Sequence, residues 1–155
     1  MEESEELTAL HPNHVKVMRI AASIAAVPFV IGSLVLETVD VLPTGAFIGP
    51  VLLVAAFLVI RVPLRRYAAR GYVMGEDRLR VVRGILFRSD TVVPFGRVQH
   101  IDVDQGPLER AYGLATLTLH TAGNHNASVA LPGLAESDAR AMRETIRARI
   151  RRDTM

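Results

Sequence analysis

Two histidines and a carboxylate are the residues best spaced for chemistry in this chain. His100 and Asp102 alternate along one extended run, and His120 and His125 follow on a later strand and its turn. Neutral imidazoles with a carboxylate can ligate zinc or another first-row metal. His100 with Asp102 or Asp104 can also move protons as a general acid–base pair. Such catalysis needs a nucleophile and a pocket as well. The chain has no cysteine, which excludes disulfides, thiolate nucleophiles and thiolate zinc sites. It has neither a glycine–serine nucleophile elbow nor a glycine-rich phosphate loop. Ser23 and Ser33 lie inside an apolar run, and Pro12 between His11 and His14 prevents a regular helical pair. Polar residues on a sheet face ordinarily meet water or pair across strands. The expectation is no catalytic residue, no metal and no cofactor. The alternative is a metal-dependent enzyme centred on His100 and His120.

The most motif-like surface combines Arg97, Gln99, His100 and Asp102 with the loop Asp104-Gln105-Gly106-Pro107 and Arg110. One reading is structural: Gly106 supplies an unusual backbone conformation, and Gln99 or Gln105 satisfies backbone groups. The other is partner binding, because loops on a rigid scaffold tend to carry function.

Charge separates the chain into unlike parts. The first 60 residues carry two basic and six acidic groups, and the remaining 95 carry sixteen Arg, ten acidic groups and no Lys. Overall the charge is +2, the pI about 9.5 and the mean hydropathy +0.26. Arg61, Arg65, Arg66 and Arg70 form one basic cluster, and Arg140, Arg143, Arg147 and Arg151 recur along a later helical stretch. The later stripe reads as a solvated face, with Glu136 or Glu144 pairing locally. Nucleic acid is not expected, since aromatics are 5% of residues and the basic charge adjoins the apolar part.

Ile20–Leu36 is a run of 17 uncharged residues and Val41–Ile60 a second run of 20. As helices they span roughly 25 and 30 Å, about the hydrocarbon thickness of a bilayer. Only Glu37 and Asp40 are charged between Ile20 and Ile60. The expected organisation is a flexible acidic leader (1–14), a two-helix transmembrane hairpin (15–66, helices about 17–36 and 41–62) and a cytoplasmic domain (67–152). Lys16 and Arg19 precede the hairpin and the Arg61–Arg70 cluster follows it, which places both termini in the cytoplasm. A cleaved signal peptide fits poorly, since the leader is long and acidic and no small-x-small site follows the first run. Gly45 and Gly49 form a small-x-x-x-small spacing, as do Ala21/Ala25 and Ala22/Ala26. Such spacings let helices pack on each other or on a second copy.

From Tyr72 the pattern changes to period two. Leu79 and Val81, Ile101 and Val103, Leu117 and Leu119, and Val129 and Leu131 each alternate with polar neighbours. Gly75, Gly84, Ser89-Asp90, Pro94-Phe95-Gly96, Gly123-Asn124 and Pro132-Gly133 read as the punctuation between strands. Gly106 to Gly113 reads as one short helical turn opened by Pro107. Ala139, Met142, Ile146 and Ile150 form the apolar stripe of a closing helix. The fold class is α+β.

The stretches Arg83-Gly-Ile-Leu86, Arg97–Gly106, Gly113–Gly123 and Leu131-Pro-Gly-Leu134 resemble the bacterial pleckstrin-homology-like family, closest to its YdbS-like membrane proteins. The resemblance implies two membrane helices followed by a bent sheet of about seven strands capped by a C-terminal helix. Phosphoinositide-binding relatives are basic in the loop joining their first two strands. Here that loop is Met74-Gly75-Glu76-Asp77, which would repel an anionic head group.

The functional expectation is a non-enzymatic interaction module, multi-pass in the bacterial inner membrane. Its partners would be membrane lipids and a second copy or another integral membrane protein, with no small-molecule substrate. Arg97, Gln99, His100, Asp102, Gln105, Gly106, Pro107 and Arg110 are the candidate partner-binding residues. An anionic-lipid sensor acting through Arg61, Arg65, Arg66 and Arg70 is the alternative.

Overall fold

The two apolar runs fold as helices α1 (Asn13–Glu37) and α2 (Ile48–Ala68). The computed structural model describes residues 6–39, 41–122 and 128–153. Contacts divide it into two units: Val15–Arg65, and the described residues up to His14 together with those from Arg66 onward.

In the first unit both helices are long and apolar enough to cross a membrane. Phe29 is 71% and Leu53 75% exposed, which no core helix of a water-soluble domain would tolerate along its length. Ser23 and Ser33 donate their hydroxyls to the carbonyls of Arg19 and Val30, at 2.9 and 2.8 Å. Neither is a candidate nucleophile; each satisfies itself within its own helix. The second helix begins at Ile48 rather than 41 because the chain turns through Gly45, at φ +95°. Gly45 therefore precedes the helix that holds Gly49, and the two glycines do not share a helix face. The carboxylate of Glu37 explains the turn. It accepts the backbone N–H groups of Gly45, Phe47 and Ile48, capping the open N-terminus of α2. Ala22, Ala25 and Ala26 line an apolar groove of about 490 Å³ opposite Pro50, Val51 and Ala55.

The second unit holds six strands among the described residues, not the seven expected. Sheet 1 is β1 (Gly71–Met74), β2 (Arg78–Arg83) and β3 (Ser89–Pro94), antiparallel in that order. Sheet 2 is β4 (Val98–Asp104), β5 (Leu114–Thr121) and β6 (Ser128–Ala135), again antiparallel in order. A short turn of helix, α3 (Pro107–Ala111), joins β4 to β5, and α4 (Glu136–Asp153) closes the chain. The inward residues Leu79, Val81, Val93, Ile101, Leu117, Leu119 and Leu131 share one core with Ala139, Met142 and Ile146 of α4. The basic stripe on α4 is locally paired: Arg140 with Glu136 at 2.7 Å, and Arg143 and Arg147 with Glu144 at 3.1 and 3.7 Å.

The segment before α1 is part of this unit rather than a flexible leader over its described length. Thr8 and Tyr72 exchange backbone hydrogen bonds at 2.8 and 3.1 Å, adding one bridge to the outer side of β1. Leu10 is buried in the core, and its carbonyl accepts the Tyr67 hydroxyl at 2.7 Å. The His11 N–H donates to the Gly133 carbonyl at 2.8 Å.

Pro132-Gly133, read as punctuation, instead lies inside β6 as a bulge. The pairs Ala115–Leu134 and Leu117–Leu131 leave two residues of β6 opposite one of β5. Gly133 takes φ +77°, and the bend opens the backbone to the incoming segment.

Candidate functional site

The polar face of sheet 2 carries the chemistry-bearing residues. Val98 and Ile101 both point inward although three residues apart, because the β4–β5 register shifts between Val98 and His100. Gln99 is the extra, exposed residue of that bulge. From His100 onward strict alternation puts His100 and Asp102 outward. His100 lies directly opposite His120 in the register, with ring centroids 6.0 Å apart.

Asp102 ties the pair together. Its Oδ1 lies 2.8 Å from His100 Nε2, and its Oδ2 lies 3.2 Å from His120 Nε2. A carboxylate only accepts, so a neutral His120 ring donates to it through Nε2. The three side chains are 40–67% exposed, so the row is open to water. Such a row can hydrogen-bond an incoming polar group. Among the described residues no group of three or more His, Asp or Glu side chains, this row included, is placed to hold a metal ion. His125 lies outside the described residues.

The loop that follows is a separate construction. Gln105 Nε2 donates to the Leu114 carbonyl at 2.7 Å. Glu109, which the sequence reading passed over, accepts the Gly106 N–H through Oε2 and the Thr116 hydroxyl through Oε1, both at 2.8 Å. Its signal was available: a glutamate three residues after the residue that opens a helix is a capping pattern. Gln105, Gly106 and Pro107 thus build the β4–α3 corner. Arg110 is exposed on α3 beside it, while Arg97 is exposed at the opposite end of β4, where its carbonyl accepts the Ala122 N–H. The eight candidate partner residues therefore divide into an outward row (Gln99, His100, Asp102), a corner (Gln105, Gly106, Pro107) and two exposed arginines, one near each end of β4.

The juxtamembrane arginines divide as well. Arg61, Arg65 and Arg66 are exposed on α2. Arg70 is half-buried, with Nη1 3.5 Å from His14 Nε2. Burial, then the charges of Arg66 and Arg83, pull its pKa below the usual guanidinium value. Tyr72 nearby is shifted up, by burial and then by Asp138. The acidic loop between β1 and β2 is held from α4, where Arg149 Nη1 donates to the Gly75 carbonyl at 2.5 Å and the guanidinium Cζ lies 6.0 Å from the Phe95 ring centre.

Two membrane-length helices, two sheets and a closing helix in this order define a membrane-associated pleckstrin-homology-like protein, and the chain belongs to the family described as Bacterial PH domain, whose model matches residues 20–150. Over 85 residues it is 33% identical to the UPF0699 transmembrane protein YdbS of Bacillus subtilis (strain 168). That match covers 55% of this chain and 52% of the relative, so the chain spans about half the relative's length. A solved DUF1696 family protein with a pleckstrin-homology domain, from Shewanella loihica PV-4, aligns with TM-score 0.42 and 19% identity over 55% of this chain and 74% of that one.

Proposed function

We propose that this chain is a membrane-anchored, non-enzymatic interaction module. In this reading α1 and α2 cross the bacterial inner membrane with both termini on the cytoplasmic side. The domain then assembles with a second copy or with another integral membrane protein. The observation that carries the reading is the position of β4. It is an outer strand of sheet 2 and presents Gln99, His100 and Asp102 to solvent. Backbone groups along an outer strand accept an added strand, and the polar row beside them gives that addition a register.

Because the chain has no native cysteine, Gln99→Cys creates a single crosslinking position. The full chain carrying it is treated with a bifunctional thiol reagent in native membranes. A covalent dimer, or an adduct with another membrane protein, is the expected product. Only monomer, with no co-purifying protein, sinks the proposal.

A second reading is supported by the exposure of Arg61, Arg65 and Arg66. They could report anionic lipid, each contributing about 1 kcal/mol near such a leaflet. This reading expects crosslinking yield at Gln99 to follow the anionic lipid content of the membrane. A yield indifferent to lipid composition rejects it.

A further inference from the structure

The hairpin between β2 and β3 ends in apolar side chains that the domain leaves uncovered. The residues joining the paired Arg83 and Ser89 are Gly84-Ile85-Leu86-Phe87-Arg88. Leu86 and Phe87 are each 90% exposed, and Ile85 beside them is also exposed. The tip is a built turn rather than slack chain. Gly84 sits at φ +117°, where a side chain would overlap the Phe87 carbonyl. Just below, the stem is clamped by Arg80 and Asp90 at 2.6 Å.

The charges around the tip select its occupant. Arg83 and Arg88 are exposed on its two sides, so a convex apolar point carries a guanidinium collar. A protein partner would have to offer a pocket shaped to this point. A lipid interface needs no such pocket: it takes apolar side chains at the acyl boundary and guanidiniums at the phosphates.

We propose that Leu86 and Phe87 insert into an anionic leaflet, with Arg83 and Arg88 at its phosphates, as a second membrane contact of this chain. The inference rests on α1 and α2 being membrane anchors. It concerns a different surface from β4, and by fixing the domain at a second point it would restrict which face a partner meets.

Single-cysteine variants of the full chain test it, each labelled with an environment-sensitive fluorophore in phosphatidylcholine vesicles with and without phosphatidylglycerol. Leu86→Cys reports the tip, Leu53→Cys the anchor and Thr145→Cys the exposed side of α4. The expected result is a blue shift and quenching by brominated lipid at positions 86 and 53, with neither at 145. Quenching at 86, but not at 53, should fall when phosphatidylglycerol is omitted or when Arg83→Gln and Arg88→Gln are added. Quenching at 53 with none at 86 overturns the proposal and leaves the anchor intact. No quenching at 53 overturns the anchor reading itself. A blue shift at 86 without lipid quenching marks a protein contact and overturns the proposal. Quenching at 86 that ignores phosphatidylglycerol overturns the role given to the two arginines.

Discussion

The imidazole of His14 lies over Gly133 so closely that a Cβ on the glycine would come within 2.5 Å of His14 Cγ. His14 lies in the first turn of α1, and Gly133 is in the bulge of the last strand. With the His11–Gly133 hydrogen bond, the contact joins the chain up to His14 to the sheet that follows α2. The domain is therefore built from both sides of the helical hairpin in the sequence, and its stability depends on residues 8–14.

Gly133→Ala should destabilise the protein by roughly 1–3 kcal/mol, since it combines a left-handed φ with the His14 clash. Chemical denaturation in detergent measures this. In a His14→Ala background the cost should shrink, leaving a positive coupling between the two sites. Equal costs in both backgrounds would remove the contact from the explanation.

Leu10→Ala should cost about 2–4 kcal/mol, the usual loss for a truncated core leucine. The same variant should speed amide exchange at Thr8 and His11, whose N–H groups bond to Tyr72 and Gly133. A leader that merely trails from the domain would show neither effect.

Glu109→Ala leaves the Gly106 N–H and the Thr116 hydroxyl without their acceptor. About 1–3 kcal/mol of stability should be lost. Crosslinking through Gln99→Cys should persist at temperatures where the variant is folded, because the corner supports β4 without belonging to the outward row. Loss of crosslinking at unchanged stability would move the corner into the partner surface.

Acid should loosen the β2–β3 hairpin. The Arg80 side-chain hydrogen bonds hold the Asp90 carboxyl below its usual value of 3.8, with Coulombic help from Arg80 and Arg88. Between the folded and unfolded values the unfolded chain binds more protons, so stability rises with pH there. The contribution is fully present above about 3.8 and is lost as pH falls through the lower folded value. Stability curves of the parent and Asp90→Asn should therefore converge in acid and separate above that point. The effect is small because the pair is solvent-exposed.

Elements whose stabilising contacts are local were readable. The apolar stripe of α4 follows from spacings of three and four, and its Ala139, Met142 and Ile146 are all buried. The turn from Gly106 to Gly113 has its proline at the first helical position, and Gly113 at φ +66°. Strand β3 was not among the alternating runs, because Ser89-Asp90 and Pro94 look like turn residues and leave only Thr91-Val92-Val93 between them. The alternation in β4 was read correctly only from His100 on, since the bulge at Gln99 has no marker in a polar–apolar pattern. The candidate site was half legible. His100 and Asp102 are neighbours by period two, but nothing in the chain order says that His120 lies opposite them.

From the sequence alone came two membrane-length helices, a basic strand-rich domain closed by an amphipathic helix, and the family that combination belongs to. The helices and the domain rest on periodicity, length and charge, which are properties of neighbouring residues, whereas the family rests on the resemblance of motifs such as Arg97–Gly106 and Gly113–Gly123. The tertiary structure decided the remainder: the leader seated on Gly133, Glu37 capping α2, Glu109 holding its corner, and Asp102 shared by two histidines. Each of these joins groups brought together by a turn, a bulge or a strand register. Backbone polar groups must find partners wherever the chain folds past them. Which side chain meets which backbone group depends on geometry that no local pattern records.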